Sequence, residues 1–172
     1  MPCNLNFNQC RLGCSFPRPI FNCVGLLLQS LTQSGTEIVN PLLQSSLIVA
    51  SAPAQTVESG GALLTTINFS QGNAIFLGNG GAISLIEGRY LVTFNINGVL
   101  PSNGNFTFAG FQDGNIISSS ATGTSGNVGA PASVSSSFFV DVSSPMSILT
   151  ILNTNSVTQT ITGGSVTIQK IF

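Results

Sequence analysis

Residues 87–96 read Glu-Gly-Arg-Tyr-Leu-Val-Thr-Phe-Asn-Ile. From Tyr90 onward the even positions, Tyr90, Val92, Phe94 and Ile96, share one face, while Leu91, Thr93 and Asn95 share the other. A period of two is the repeat of a β-strand, and one apolar face beside a more polar one marks an antiparallel strand laid on a core. The same pattern returns at Val134, Ser136, Phe138, Val140 and Val142, with a shorter instance at Phe106 and Phe108. Between such runs stand Gly78-Asn79-Gly80-Gly81, Asn103-Gly104, Asp113-Gly114 and Gly163-Gly164, which read as turns because positive φ is cheap there. About eight strand candidates at this spacing predict an all-β, antiparallel two-sheet sandwich or jelly roll.

One stretch departs from the alternation. Met146, Ile148, Leu149, Ile151 and Leu152 offer apolar side chains to both faces of a strand. Either a loop packs over the second face or a neighbouring subunit does, and Ile148, Leu149, Ile151 and Leu152 become candidates for a subunit interface.

Upstream of about Ser34 the text is irregular and holds all 4 cysteines: Cys3, Cys10, Cys14 and Cys23. A disulfide-stapled domain spreads its cysteines through the fold that needs constraint; here the body has none, so these thiols are expected to join segments or subunits. Structural zinc sites favour tighter Cys-x-x-Cys knuckles than these gaps provide, and zinc and reduced, inert thiols stand as alternatives to disulfides. Pro2, Pro17 and Pro19, around Phe16 and Phe21, favour an extended path. Val24, Leu27, Leu28 and Leu31 fall at helical spacing and read either as a short helix or as an extended apolar strap. Phe16, Phe21, Leu27, Leu28 and Leu31 are the docking candidates of this segment.

Composition narrows the function. Of 172 residues only 5% are charged, and the formal net charge is -1, so no basic field exists to attract nucleic acid or anionic lipid. A surface hydrated by Ser, Thr, Asn and Gln does not repel its own copies, which suits subunits of an assembly. There is no His, which removes the commonest general base and metal ligand, and Glu37, Glu58, Glu87, Asp113 and Asp141 are scattered singly. The strings LGNGGA and GTSGNVGA lack the helix and Lys-Ser/Thr ending of a phosphate cradle and read as loops. The expectation is a protein without catalytic residues, cofactor or metal. No apolar run reaches membrane-spanning length, and the first residues carry neither a basic leader nor an apolar signal core, so synthesis in the cytoplasm without a signal peptide is expected.

Two motifs carry a family resemblance. Glu87 to Phe94 resembles the "Gly-x-Tyr, alternating apolar" central strand of the tumour necrosis factor and complement globular-head jelly rolls, and Gly164 to Phe172 resembles their closing strand. The likeness is closest to the bacterial branch found on spore surfaces, and it covers about residues 37–172. It implies a jelly-roll domain over 37–172, carried behind a Cys-rich connector over 1–36, and a homotrimer about an apolar threefold axis. The stalked members carry a Gly-X-Y repeat, and this chain has none. The resemblance therefore implies a structural subunit of a spore-surface fibre or coat such as an exosporium or endospore appendage. Trimers would be joined through the N-terminal segment with disulfide cross-links, and other spore-surface proteins are possible partners. The alternatives are a trimeric head that binds a receptor, glycan or surface ligand, and a viral capsid or tail-fibre jelly roll.

Overall fold

The computed structural model describes residues 46–172. The expected boundary between 36 and 37, Cys3, Cys10, Cys14 and Cys23, and the docking candidates Phe16, Phe21, Leu27, Leu28 and Leu31 lie outside the described residues. The strands are β1 (Leu47–Ala52), β2 (Gln55–Val57), β3 (Thr66–Gln71), β4 (Ile75–Leu77), β5 (Ile83–Val99), β6 (Asn105–Gln112), β7 (Asn115–Ile116), β8 (Thr122–Ser125), β9 (Pro131–Asn153) and β10 (Gln159–Lys170). All pairings are antiparallel.

The long strands β5 and β9 run side by side through both layers of a sandwich. The second part of β5, from Gly88 to Val99, pairs with Pro131–Val142 of β9 on one flank and with β10 on the other; β1 and β3 extend that layer. The first part, Ile83–Ile86, pairs with Met146–Leu149 and with β4, and β6, β7 and β8 continue the second layer from the far end of β9. Strands that change layer do so at bends or bulges. Here the break in register falls between Ile86 and Gly88, opposite the Ser143-Ser144-Pro145 stretch.

That the layers face each other is shown by two reciprocal contacts. A Cβ built on Gly98 of β5 would lie 2.6 Å from the ring of Phe106 in β6, and one built on Gly110 of β6 would lie 2.7 Å from the ring of Phe138 in β9. Each layer thus lends a phenylalanine to a glycine of the other. Tyr90, Val92, Phe94 and Ile96 are all 0% exposed, and Val134, Phe138, Val140, Val142, Phe106 and Phe108 join them in one core. Phe94 and Phe138 meet edge to face with centroids 6.2 Å apart, the arrangement that aromatic quadrupoles favour. The alternation read from the sequence is the burial pattern of the fold.

One expected turn is not a turn. Gly163-Gly164 lies inside β10, beside a register shift between Ile161 and Gly163, and a Cβ on Gly164 would stand 2.6 Å from the carbonyl oxygen of Asn95. These glycines serve close strand approach. Gly80, Gly104 and Gly114 do take positive φ in connecting turns, and Asp113 shares the β6–β7 tip at φ 50. The Asp113 carboxylate accepts 2.7 Å hydrogen bonds from Ser147 Oγ and Ile148 N, and these bonds hold its pKa below the ordinary carboxylate value.

Tyr90 clasps the corner where β5 changes layer. Its buried hydroxyl donates to the Ile86 carbonyl at 2.6 Å, with the Ala74 carbonyl at 3.2 Å. Burial raises its pKa, because the phenolate would lose its water. The sign follows: a raised folded pKa gives stability that is present below the unfolded value of about 10 and is lost as pH rises through the folded value. The protein has 1 Tyr and no Trp, so its ultraviolet titration reports this residue alone. Tyrosinate absorbance is expected to rise only above the ordinary pKa and together with loss of native circular dichroism. Tyr90→Phe is expected to lower stability in urea by about 1–3 kcal/mol by removing the 2.6 Å hydroxyl bond to the Ile86 carbonyl, while the Ala74 carbonyl keeps its bond from Ile86 N.

Candidate self-association surface

The outward face of the layer containing β1, β10, β5 and β9 carries an apolar strip. Strand register places Phe139, Leu91, Gln169 and Leu47 in one row across four strands, and Ser137, Thr93, Thr167, Val49 and Phe69 in the row beside it. Phe139 is 52% exposed and Phe69 49%, while Leu91, Leu47 and Val49 are half-buried. Between the apolar groups stand Thr and Ser hydroxyls, and Thr93 and Ser137 hydrogen-bond each other across the strands. Such a face offers area to another protein surface without a charge to desolvate.

Charge gathers at one end of this strip. Arg89 and Asp141 sit opposite each other in the register and form an ion pair with Nε to Oδ1 at 3.1 Å. The Arg89 guanidinium also lies over the Phe139 ring, 4.9 Å from its centroid. Both side chains of the pair are well exposed, so in a monomer the pair contributes little to stability. An exposed arginine stacked on an aromatic ring is instead the composition found at the energetic centres of protein interfaces. Lys170 Nζ donates to the Glu87 carbonyl at 2.8 Å at the same corner. The sequence showed no aromatic-and-arginine cluster because Arg89 and Phe139 are brought together only by the pairing of β5 with β9.

The strip ends on an open strand edge. Pro131–Val142 pairs with β5 on one side, and on the other, among the described residues, no strand is paired with it and Gln112 Nε2 donates to the Asp141 carbonyl at 3.0 Å. Because alternate residues of a strand aim their backbone groups to one side, the carbonyls and N–H groups of Ser133, Ser135, Ser137 and Phe139 point the same way as that of Asp141. This edge has no Lys, no internal Pro and no register break, the devices that usually discourage strand pairing.

The four interface candidates read from the sequence divide between two faces. Leu149 and Ile151 are 0% and 1% exposed and fill the protomer's own core, so they offer nothing to a second subunit. Ile148 and Leu152 point the other way and are half-buried, Ile148 opposite Ser84 and Leu152 flanked by Ala109 and Ala62. The core takes every second residue, and the alternation within 146–152 was hidden because both sets are apolar.

No protein-family model matches the chain, and no curated protein matches it. Solved structures do. The tumour necrosis factor Eiger of S. frugiperda superposes with a TM-score of 0.58 at 12% identity, covering 74% of this chain and 94% of that one. Murine APRIL at pH 5.0 gives 0.58 at 12% identity over 74% and 99% of the two chains. The globular domain of zebrafish complement 1qA gives 0.52 at 8% identity over 74% and 97%. The fold is a jelly roll of the tumour necrosis factor and complement-head type. In this jelly roll the strip described above covers the outward side of the layer built on β10 and β5, and the Gly88-Arg89-Tyr90 motif forms the corner that joins the layers. At these identities the likeness speaks for the fold. Among the described residues, no group of three or more His, Cys, Asp and Glu side chains is placed to hold a metal ion.

Proposed function

We propose that the chain is a self-assembling structural subunit, a homotrimer formed through the jelly-roll body and joined to further copies by the Cys-rich N-terminal segment. The observation that carries this reading is the outward strip of Phe139, Leu91, Leu47, Val49 and Phe69, ending on the Arg89–Phe139 stack, on a protein otherwise nearly free of charge. The jelly-roll resemblance supports threefold symmetry. A cyclic trimer is heterologous, so two different patches must meet, and the strip and the open edge of Pro131–Val142 are two such patches on one protomer. The likeness to spore-surface members and the segregation of Cys3, Cys10, Cys14 and Cys23 support a role in a spore-surface fibre or coat, with disulfides fastening the joints between trimers.

Sedimentation of the full chain under reductant is expected to give a trimer at micromolar concentration. Phe139→Asp is expected to weaken association by about 2 kcal/mol or more, roughly thirtyfold, while circular dichroism stays native. A wild-type protein that sediments as a monomer would remove the trimer. On a denaturing gel without reductant, large covalent species are expected, and they should collapse to monomer when reductant is added. Electron micrographs separate this reading from a trimeric head that binds a receptor or glycan: filaments or sheets support a structural subunit, isolated trimers the binding head.

A further inference from the structure

We infer that Asn79 is a site of spontaneous covalent modification, deamidation through a succinimide, and that the fold protects the other Asn-Gly pairs of the described residues. The inference is independent of how copies associate. Asn-Gly pairs occur at Asn79-Gly80, Asn97-Gly98 and Asn103-Gly104. Glycine leaves the following amide nitrogen sterically open, so sequence ranks the three alike, and structure must distinguish them.

At Asn103 both reacting groups are engaged. Its Oδ1 accepts from Asn155 Nδ2 and from Asn105 N, each at 3.1 Å, and its Nδ2 donates to Asn155 Oδ1. The nucleophile is occupied too, since Gly104 N donates to the Pro101 carbonyl at 2.8 Å. At Asn97 the backbone is fixed in β5 between β9 and β10, with Asn97 opposite Ser133 and Gly163 and Gly98 pressed under the Phe106 ring. Attack on the side chain requires a backbone rotation that this pairing forbids.

Asn79 has none of these restraints. It is exposed in the short 3-10 turn between β4 and β5, and among the described residues its side chain and the Gly80 N–H make no hydrogen bond. Gly80 sits at φ 68, ψ 22, with open space where a Cβ would be. The turn is closed by Gly78 N to the Ala82 carbonyl at 2.7 Å, whereas the Asn79-Gly80 peptide itself is held through one long bond, Ala82 N to the Asn79 carbonyl at 3.4 Å, a far weaker restraint than the two-sided strand pairing at Asn97.

The chemistry needs only water and base. The deprotonated Gly80 nitrogen attacks Asn79 Cγ; the new N–Cγ bond forms as the Cγ–Nδ2 bond breaks, and the amide leaves as ammonia with the proton taken from Gly80. Water then opens the imide at either carbonyl, giving aspartate or isoaspartate at position 79. Each product adds a negative charge, and isoaspartate lengthens the backbone of a turn whose Gly81 packs against Leu63.

The test is peptide mapping of the full chain, kept native in mildly alkaline buffer and digested at intervals with chymotrypsin. The peptide containing Asn79 is expected to lose ammonia and, once water has opened the imide, to end one mass unit heavier, at least about tenfold faster than Asn97 or Asn103, which share one chymotryptic peptide because Pro101 blocks cleavage after Leu100 and are told apart by fragmentation; reaction at those two sites requires a local opening. In urea the three rates should converge. Asn79→Gln should abolish the fast phase without altering circular dichroism. Equal native rates at the three sites, or a native Asn79 that persists while the unfolded chain reacts, would overturn the inference.

Discussion

Gly88→Ala is expected to destabilise the protein by about 3 kcal/mol or more, enough to abolish folding if the domain lies at the lower end of the usual stability range. Two costs add. Gly88 sits at φ 146, a backbone region that L side chains rarely adopt. The site is also full: a Cβ there would stand 2.4 Å from Lys170 Cε and 2.5 Å from the Phe172 carbonyl oxygen. The lysine stem can shift, but the carbonyl cannot move freely, because Arg89 N donates to it at 3.0 Å and Ile171 N donates to the Arg89 carbonyl at 2.8 Å. Relief would unzip the end of the chain from β5. Gly60→Ala is the control, since Gly60 has φ 71 but nothing within 4 Å of its Cβ position. It should cost only the dihedral term, about 1–2 kcal/mol. Urea denaturation of both variants checks the difference, and equal losses would show that the crowding at the corner is relieved without cost.

Phe138→Ala is expected to cost about 3–5 kcal/mol, the range for deleting a buried aromatic side chain. Phe138 is 3% exposed, meets Phe94 edge to face and stands over Gly110 of the opposite layer. Its removal opens a void between layers that are held apart by their own strand pairings and cannot collapse freely. The reciprocal change, Gly110→Ala, drives a methyl to 2.7 Å from Phe138 Cζ and is expected to cost about 1–3 kcal/mol by overpacking. In the double variant the added methyl occupies space that the ring has left, so the combined loss should fall clearly short of the sum. Strict additivity in thermal or urea unfolding would mean that the two residues do not share one contact across the sandwich.

Legibility followed the physics of each feature. The Tyr90–Ile96 and Val134–Val142 alternations were readable because a strand buried on one face imposes its period on the residues themselves. From those patterns and the turn signals followed the all-β sandwich, and from the Gly-x-Tyr motif the jelly-roll type. At Met146–Leu152 the signal failed, because apolar residues on both faces leave no contrast to read. The glycines were ambiguous for a related reason. A missing Cβ serves a turn and a close strand approach equally well, so Gly163-Gly164 in β10 looked like Gly80-Gly81 in a turn.

By itself the sequence determined the strand-rich body, its inward faces, the scarcity of charge and the confinement of cysteine to the first residues, because local pattern and composition depend on nothing far away. Only the tertiary structure decided where β5 turns from one layer to the other, that Arg89 stacks on Phe139, that Leu149 and Ile151 belong to the core, and that Asn79 is open while Asn97 and Asn103 are held. Each of these depends on strand register, which brings together residues distant along the chain, and register is fixed by the packing of the whole sandwich rather than by any one segment.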